Sequence, residues 1–217
     1  MKVIAIILAA LIFSVSPVFA SNLTSSEQEA SFSATYSAQM SPTGNDIGVS
    51  KITPASFFYF LKTVRENIEL KLALTPHVKK IRQLEFATRR LREIKSLIGG
   101  REDLIQPTME RYWFHLNQLD PKDDSDPEVV VRVKESLTVH LEVLQSLYDK
   151  LTNPKAKLSI RSVINRMTLR SDLPIFVKIP ACYFLQKEAT DSALAEGERE
   201  ILLQRAQNCF KGTGHTI

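Results

Sequence analysis

A basic run extends from Thr75 to Gly100 and reads TPHVKKIRQLEFATRRLREIKSLIGG, with seven Lys or Arg against two Glu. On one side of a helix, such cations could bind an anion or an acidic partner. Glu85 lies four residues before Arg89, and Arg89 lies four before Glu93, which is the spacing of ion pairs within a helix. A solvated, self-paired side is therefore the alternative interpretation. The residues predicted to contact a partner are Lys79, Arg82, Arg89 and Arg92.

An acidic segment follows between Asp120 and Glu128. Counted from Asp124, acids occupy positions 1, 3, 5 and 12, as they do in a calcium-binding loop. Position 6 is Val129, where such a loop needs Gly for its sharp turn. The acids are better explained by a helix N-terminus, where the helix dipole favours negative charge. No metal site is predicted.

The histidines do not form a recognisable catalytic or zinc-binding pattern. They are His77, His115, His140 and His215. HExxH, Cys/His clusters with zinc spacing, P-loops, GxGxxG, GxSxG and SxxK are all missing from the sequence. No catalytic residue and no cofactor is therefore predicted, although a Ser-His-Asp set assembled by the fold stays open. His140 borders an apolar stripe, which indicates a packed side chain rather than a ligand.

Export is predicted by the first twenty residues, MKVIAIILAALIFSVSPVFA. Lys2 precedes an apolar run from Val3 to Val15, and small residues before Ser21 fit signal peptidase cleavage after Ala20. The run is shorter than the roughly 20 residues of a transmembrane helix; an uncleaved N-terminal anchor is the alternative. We expect a secreted or periplasmic protein with no membrane span after cleavage.

An exported chain can keep a disulfide, and Cys182 and Cys209 are its two cysteines. We expect Pro180 to start a helix with Cys182 in its first turn, and Cys209 to lie in the last turn of the next helix. An antiparallel hairpin would then bring the two thiols together. Because the pair is not a CxxC motif, thioredoxin-like chemistry is not indicated.

Export also determines the class of partner. An exported protein rarely meets nucleic acid, and no aromatic residues are interleaved on the polar side of the basic run. The net charge of +4 over 217 residues is small. The predicted partner is an envelope protein or an anionic envelope polymer, and not nucleic acid.

Helices must position these residues. After a Ser/Thr-rich segment, 21–52, that is predicted to be a disordered tether, capping residues repeatedly precede a proline at the first helical position. These pairs are Thr53-Pro54, Thr75-Pro76, Asp126-Pro127 and Asn153-Pro154. Apolar residues then recur every three or four positions. The stripes are Phe57, Leu61, Val64, Ile68 and Leu72; Ile81, Leu84, Ala87, Leu91, Ile94 and Ile98; Ile105, Met109, Tyr112, Leu116 and Leu119; Val130, Val133, Leu137, Leu141, Leu144, Tyr148 and Leu151; and Val163, Ile164 and Met167.

The predicted fold is all-α: an antiparallel bundle of four to five helices over residues 53–171, with a C-terminal helical hairpin, 172–217, packed on it. Two aromatic clusters, Phe57–Phe60 and Tyr112–Phe114, contain more rings than one stripe can bury. The core is the favoured place for them, because apolar residues at helical spacing usually face inward. An exposed binding patch is the alternative.

The segment from Thr53 to Ile98 resembles a widespread bacterial domain of unknown function that is found in exported proteins. The matching residues are Pro54, Ser56, Tyr59, Leu61, Lys62, Glu66, Pro76, Lys79, Lys80, Arg89, Arg90, Leu91 and Glu93. The resemblance implies export and an all-helical fold, and it implies no activity. The function that we predict is a non-catalytic interaction module of the envelope or extracellular space. A small exported hydrolase without a recognisable motif, or a periplasmic stress- or metal-responsive adaptor, is the alternative.

Overall fold

Helices make up all the regular secondary structure in residues 47–119, 126–191 and 194–214, the part of the chain that the computed structural model describes. The predicted all-α class is confirmed there. The predicted signal peptide and most of the predicted tether lie outside the described residues. The helices are α1 Tyr59–Leu72, α2 Pro76–Leu97, α3 Ile105–Asn117, α4 Pro127–Lys150, α5 Pro154–Thr168, α6 Ile175–Ala189 and α7 Glu196–Thr213, with a 3₁₀ turn, Glu102–Leu104, before α3.

Three of the predicted helix starts have the side-chain cap that the sequence indicates. The side-chain oxygens of Thr75, Asp126 and Asn153 accept first-turn backbone N–H groups at 2.9 to 3.3 Å, at the starts of α2, α4 and α5. Thr53 does not start a helix. Residues 54–58 form turns instead, and α1 begins at Tyr59 without a side-chain cap.

The main core lies around α2, which packs against α1, α3 and α4, while α5 packs against α3 and α4. The apolar stripes predicted for the second to fifth helices are buried here, apart from the half-buried Ile98 and Val130. Fully buried members include Leu84, Leu91, Ile94, Tyr112, Leu116, Leu137, Leu144 and Ile164. Periodicity was sufficient to place these side chains because each of these helices is covered on its apolar side.

The stripe predicted for the first helix is the exception, and its assignment to the core is wrong. Leu61, Val64, Ile68 and Leu72 are all more than half exposed, and the residues that α1 buries are Tyr59 and Glu66. The helix turns its polar side toward α2. The physical reason is a set of buried ion pairs between the two helices, described below, which only that orientation forms.

The C-terminal helices form a hairpin with its own small core. α6 packs on α7, and Leu185, Leu202, Ala206 and Phe210 are buried between them beside Cys182. The disulfide between Cys182 and Cys209 is present, with the two Cα atoms 5.6 Å apart.

Pro180 does not start α6, contrary to the expectation. It lies inside the helix, which begins at Ile175, so Cys182 is mid-helix rather than in the first turn. Pro180 has no backbone N–H to donate to the carbonyl of Phe176, so one hydrogen bond of the helix is missing, but α6 continues past it to Ala189.

The last six residues of the predicted tether, 47–52, pack on α2. Ile47 is buried, its carbonyl oxygen accepts a hydrogen bond from Nε of Arg92 at 2.6 Å, and the Ser50 N–H donates to Ser96 Oγ at 2.9 Å. Ordered structure therefore begins at least six residues before Thr53.

A docking face on α1 and the ion pairs beneath it

The buried side of α1 meets α2 through an ion-pair cluster formed by Tyr59, Lys62, Glu66, Arg90 and Glu93. Arg90 is 1% exposed and binds Glu66, the Tyr59 hydroxyl and, at 3.1 Å, Glu93. Lys62 Nζ lies 2.5 Å from the other Glu93 oxygen. The cluster places two cations against two carboxylates, so its formal charges cancel within the interface.

Tyr59 completes the cluster as a neutral donor. Its hydroxyl donates to Glu93 Oε2 at 2.9 Å, and its ring lies 5.2 Å from the guanidinium carbon of Arg111 on α3. Burial is the main cause that raises the pKa of Tyr59 to about 12; the charge of Arg90 opposes this rise and the charge of Glu93 adds to it. The hydroxyl therefore keeps its proton at any ordinary pH and holds α1 to α2.

A second set of ion pairs continues toward the C-terminal end of α1. Glu69 lies 3.3 Å from Arg89 and 3.9 Å from Arg82, and Arg82 also contacts Glu85 at 2.9 Å. Arg89 binds Glu85 as well, at the i, i+4 spacing seen in the sequence. The carboxylates of Glu85, Glu69 and Glu66 raise the pKa of Arg89 despite its burial, which keeps its charge fixed.

The predicted contact residues therefore have different surroundings. Arg82 and Arg89 are engaged with carboxylates of α1 and α2, and Arg92 binds the carbonyl of Ile47. Lys79 is exposed, and with Lys71 of α1 it lines a cleft of about 530 Å³. The sequence placed the three arginines on one side of α2, but it gave no sign that α1 covers that side.

An apolar patch covers the outer side of α1 and the residues that flank the helix at both ends. Its members are Phe57, Phe58, Phe60, Leu61, Val64, Ile68, Leu72 and Leu74, each more than half exposed, with Phe57 at 84% and Leu72 at 71%. The core location favoured for Phe57, Phe58 and Phe60 is wrong, and the exposed alternative holds for them. In the other cluster, Tyr112 is buried, Trp113 is half-buried and Phe114 is exposed.

A groove of about 630 Å³ adjoins the N-terminal end of the patch. Phe58 and Leu61 line it on one side, and Lys51 and Ile52 line it from the segment before α1. Arg65 also reaches the groove, where its Nε binds Glu69 at 2.6 Å. The groove has apolar and cationic walls next to one another.

His77, His115 and His140 each make separate contacts, and His215 lies outside the described residues. His77 Nδ1 is 2.5 Å from Asp126 Oδ2 at the surface, and His115 Nδ1 is 2.7 Å from Gln83 Oε1. Among residues 47–119, 126–191 and 194–214, no three His, Cys, Asp or Glu side chains are grouped to hold a metal ion. Asp126, one acid of the calcium-like pattern, is the cap of α4; Asp124 lies outside the described residues.

His140 is a fully buried core residue with both ring nitrogens bonded. Thr88 Oγ1 donates to the carbonyl of Leu84, so it accepts the bond from His140 Nε2 at 2.9 Å. The Tyr112 hydroxyl, which also lies 3.8 Å from Met167 Sδ, is 3.3 Å from Nδ1 and can donate to it. A neutral ring with its proton on Nε2 satisfies both contacts.

Acidification is expected to destabilise the fold through His140. Burial, with a smaller effect of Arg92, lowers the pKa of His140 to about 3, below the value of about 6.5 for an unfolded histidine. The unfolded chain therefore binds the proton first, and stability that is present above pH 6.5 is lost as the pH falls toward 3. The variant His140→Gln lacks this titrating ring. Between roughly pH 4 and 6, its unfolding free energy should therefore change with pH by about 1.4 kcal/mol per pH unit less than that of the native chain, which is the effect of one proton.

The measurement is urea unfolding followed by circular dichroism at several pH values. Thr88→Val is the matched control, because it removes the hydrogen bond and keeps the titrating ring. The control should be less stable than the native chain with an unchanged slope. Equal slopes for His140→Gln and the native chain would contradict the assignment.

Sequence reasoning missed the ion-pair cluster as a structural unit, although a signal for it was present. Tyr59, Lys62, Glu66, Arg90 and Glu93 are all among the residues on which the family resemblance rests. All five face the α1–α2 interface, so the resemblance reflects this interface more than the outer side of α1.

A family model matches part of the chain. No curated protein and no solved structure matches the chain. The region from Lys51 to Pro154 carries the ion-pair cluster, the apolar patch and α2 to α4, and this region, residues 51–154, matches the family model of a domain of unknown function, DUF5667.

Proposed function

We propose that the chain is an exported, non-catalytic interaction module that docks through the apolar patch of α1. The observation that carries the proposal is the orientation of that helix, which keeps its ionic side inward and five large apolar side chains outward, with three more exposed in the flanking residues. Contiguous exposed apolar surface of this kind marks binding surfaces in folded proteins.

The charged groups nearest the patch support binding over catalysis. Arg90 binds both Glu66 and Glu93, and all three side chains are buried. These charged groups therefore hold α1 in place. The arginines first considered as a contact surface are engaged with carboxylates or with Ile47. The docking surface proposed is therefore the opposite side of α1 from those arginines.

Export is supported by two features. The first twenty residues have the composition of a signal peptide. The disulfide between Cys182 and Cys209 is typical of oxidising compartments. Both are consistent with a protein that acts at or beyond the cell envelope.

Loss of two patch side chains is expected to release the protein from the envelope without unfolding it. In the double variant Leu61→Ser with Ile68→Ser, two side chains that are 52% exposed become polar. About half of each side chain is already exposed, so the unfolding free energy should fall by only about 2 kcal/mol, as it should in a variant at equally exposed positions elsewhere. The protein should move from the sedimenting envelope fraction to the supernatant when cells expressing the full chain are fractionated.

A matched control separates the patch from apolar surface in general. Leu158 on α5 and Ile201 on α7 are 51% and 50% exposed, and their double replacement by Ser should leave envelope retention unchanged. Equal retention of the two double variants would contradict docking through α1. Recovery of the native chain in the cytoplasm would contradict export.

A further inference from the structure

The exposed charged side chains of the segment that carries the apolar patch are all of one sign. Between residues 47 and 78, every one of which the structure describes, the exposed charged side chains are Lys51, Arg65 and Lys71. Of the two acids of this stretch, Glu66 turns toward Arg90 of α2, and Glu69 is shared between Arg89 of α2 and Arg65. Both acids are thus engaged in ion pairs, and Lys51 and Lys71 remain as exposed cations at the edge of the patch.

The arrangement along α1 is that of a helix that lies in an interface. At 100° per residue, Leu61, Val64, Ile68 and Leu72 fall within an arc of roughly 80°. Arg65 and Lys71 fall on opposite edges of that arc, each roughly 50–70° from its centre. An apolar arc of large side chains with Lys and Arg at its borders is typical of helices that bind the surface of anionic membranes.

A membrane-spanning role does not fit this helix. α1 has 14 residues, a length of about 21 Å, against about 30 Å for the hydrocarbon core of a bilayer. In residues 47–119, 126–191 and 194–214, no helix has both the length and the apolar character to cross a membrane. The apolar arc can therefore enter a bilayer only from the side.

A second copy of the chain is a poorer occupant on electrostatic grounds. A twofold interface brings the same patch against itself, so Lys51 and Lys71 at its edges would meet the equivalent cations. No exposed carboxylate between residues 47 and 78 is present to oppose them. A surface of phosphate groups supplies the missing negative charge along the whole patch at once.

We propose that the apolar patch binds the surface of an anionic lipid bilayer, an inference that rests on the docking function proposed above and names its occupant. α1 lies parallel to the bilayer, with Leu61, Val64 and Ile68 below the headgroups. Lys51 and Lys71 lie at the level of the lipid phosphates, at the two ends of the patch.

A single tryptophan at the patch tests the proposal locally. Phe57, 84% exposed, is replaced by Trp in a chain whose only native tryptophan is removed by Trp113→Phe. The full chain is mixed with vesicles of phosphatidylglycerol and phosphatidylcholine. The emission should shift to shorter wavelength and be quenched by brominated acyl chains, because residue 57 enters the bilayer.

Two variants of this probe separate apolar from electrostatic binding. Leu61→Ser with Ile68→Ser should weaken partitioning into anionic vesicles by about tenfold or more. Lys51→Glu with Lys71→Glu should also weaken it by about tenfold and abolish the preference for anionic over pure phosphatidylcholine vesicles. The N-terminal apolar run is the same in every protein compared, so differences between the variants report on the patch.

The outcomes are distinct. No spectral shift with any vesicle overturns the lipid assignment. If envelope retention still depends on Leu61 and Ile68, the docking function stands with a different partner. A shift that appears without vesicles and grows with protein concentration identifies a second copy as the occupant and overturns the proposal. Equal binding to neutral and anionic vesicles overturns its electrostatic part.

Discussion

Replacement Arg90→Met is expected to lower the free energy of unfolding by about 3–5 kcal/mol, the loss seen when one partner of a buried ion pair is removed. Arg90 is the only residue that contacts both Glu66 and Glu93 among the ion pairs recorded for residues 47–119, 126–191 and 194–214. Without it, the fully buried Glu93 keeps Lys62 and Tyr59, and Glu66 keeps a longer contact, 3.6 Å, to Arg89. Urea unfolding followed by circular dichroism measures the difference.

Arg101→Met is the matched control for this prediction. Arg101 pairs with Asp103 at 2.9 Å, but both side chains are more than half exposed, and such solvent-screened surface pairs contribute little to stability. The double variant Arg90→Met with Glu66→Leu should recover part of the loss, since it removes a charge of each sign. A loss below about 1 kcal/mol for Arg90→Met alone would show that the cluster does not hold α1 in place.

The orientation of α1 is what sequence reasoning could not supply. Periodicity grouped Leu61, Val64 and Ile68 correctly on one side of a helix, but it does not say which side faces the core. The usual rule that the apolar side faces inward fails here, because α2 presents buried arginines where α1 docks. The carboxylates of Glu66 and Glu69 match that surface, and burial of unmatched guanidinium groups would be far more costly than exposure of a few leucines.

Local features were more accessible to prediction. The caps at Thr75, Asp126 and Asn153 depend on one side chain and the first helical turn, and the cap-proline pattern predicted them correctly, although the same pattern at Thr53 does not start a helix. The interior position of Pro180 depends on how α6 packs against α7 and α5, and a rule based on the proline alone cannot anticipate it. The pairing of Cys182 with Cys209 was predicted correctly, although the predicted start of α6 at Pro180 was wrong.

Reduction of this disulfide is expected to destabilise the C-terminal hairpin. The two cysteines are 27 positions apart, and closing a loop of that length stabilises a folded chain by about 3–4 kcal/mol in the chain-entropy description. The loss of stability should be greatest in α7, because this helix packs chiefly on α6, through Leu202, Ala206 and Phe210. Hydrogen exchange measured by mass spectrometry, with and without dithiothreitol, locates the change.

The contacts of α6 with the main core limit how far this destabilisation should spread. The hydroxyl of Tyr148 on α4 donates to Glu188, and Arg161 on α5 lies 3.9 Å from the same carboxylate, so α6 stays attached after reduction. Peptides from residues 196–214 should therefore lose protection, while those from α2 keep it. The variant Cys182→Ala with Cys209→Ala should exchange like the reduced chain and be insensitive to dithiothreitol. If α2 loses protection together with α7, the hairpin and the main core unfold as one unit, and the separate small core does not define an independent region of stability.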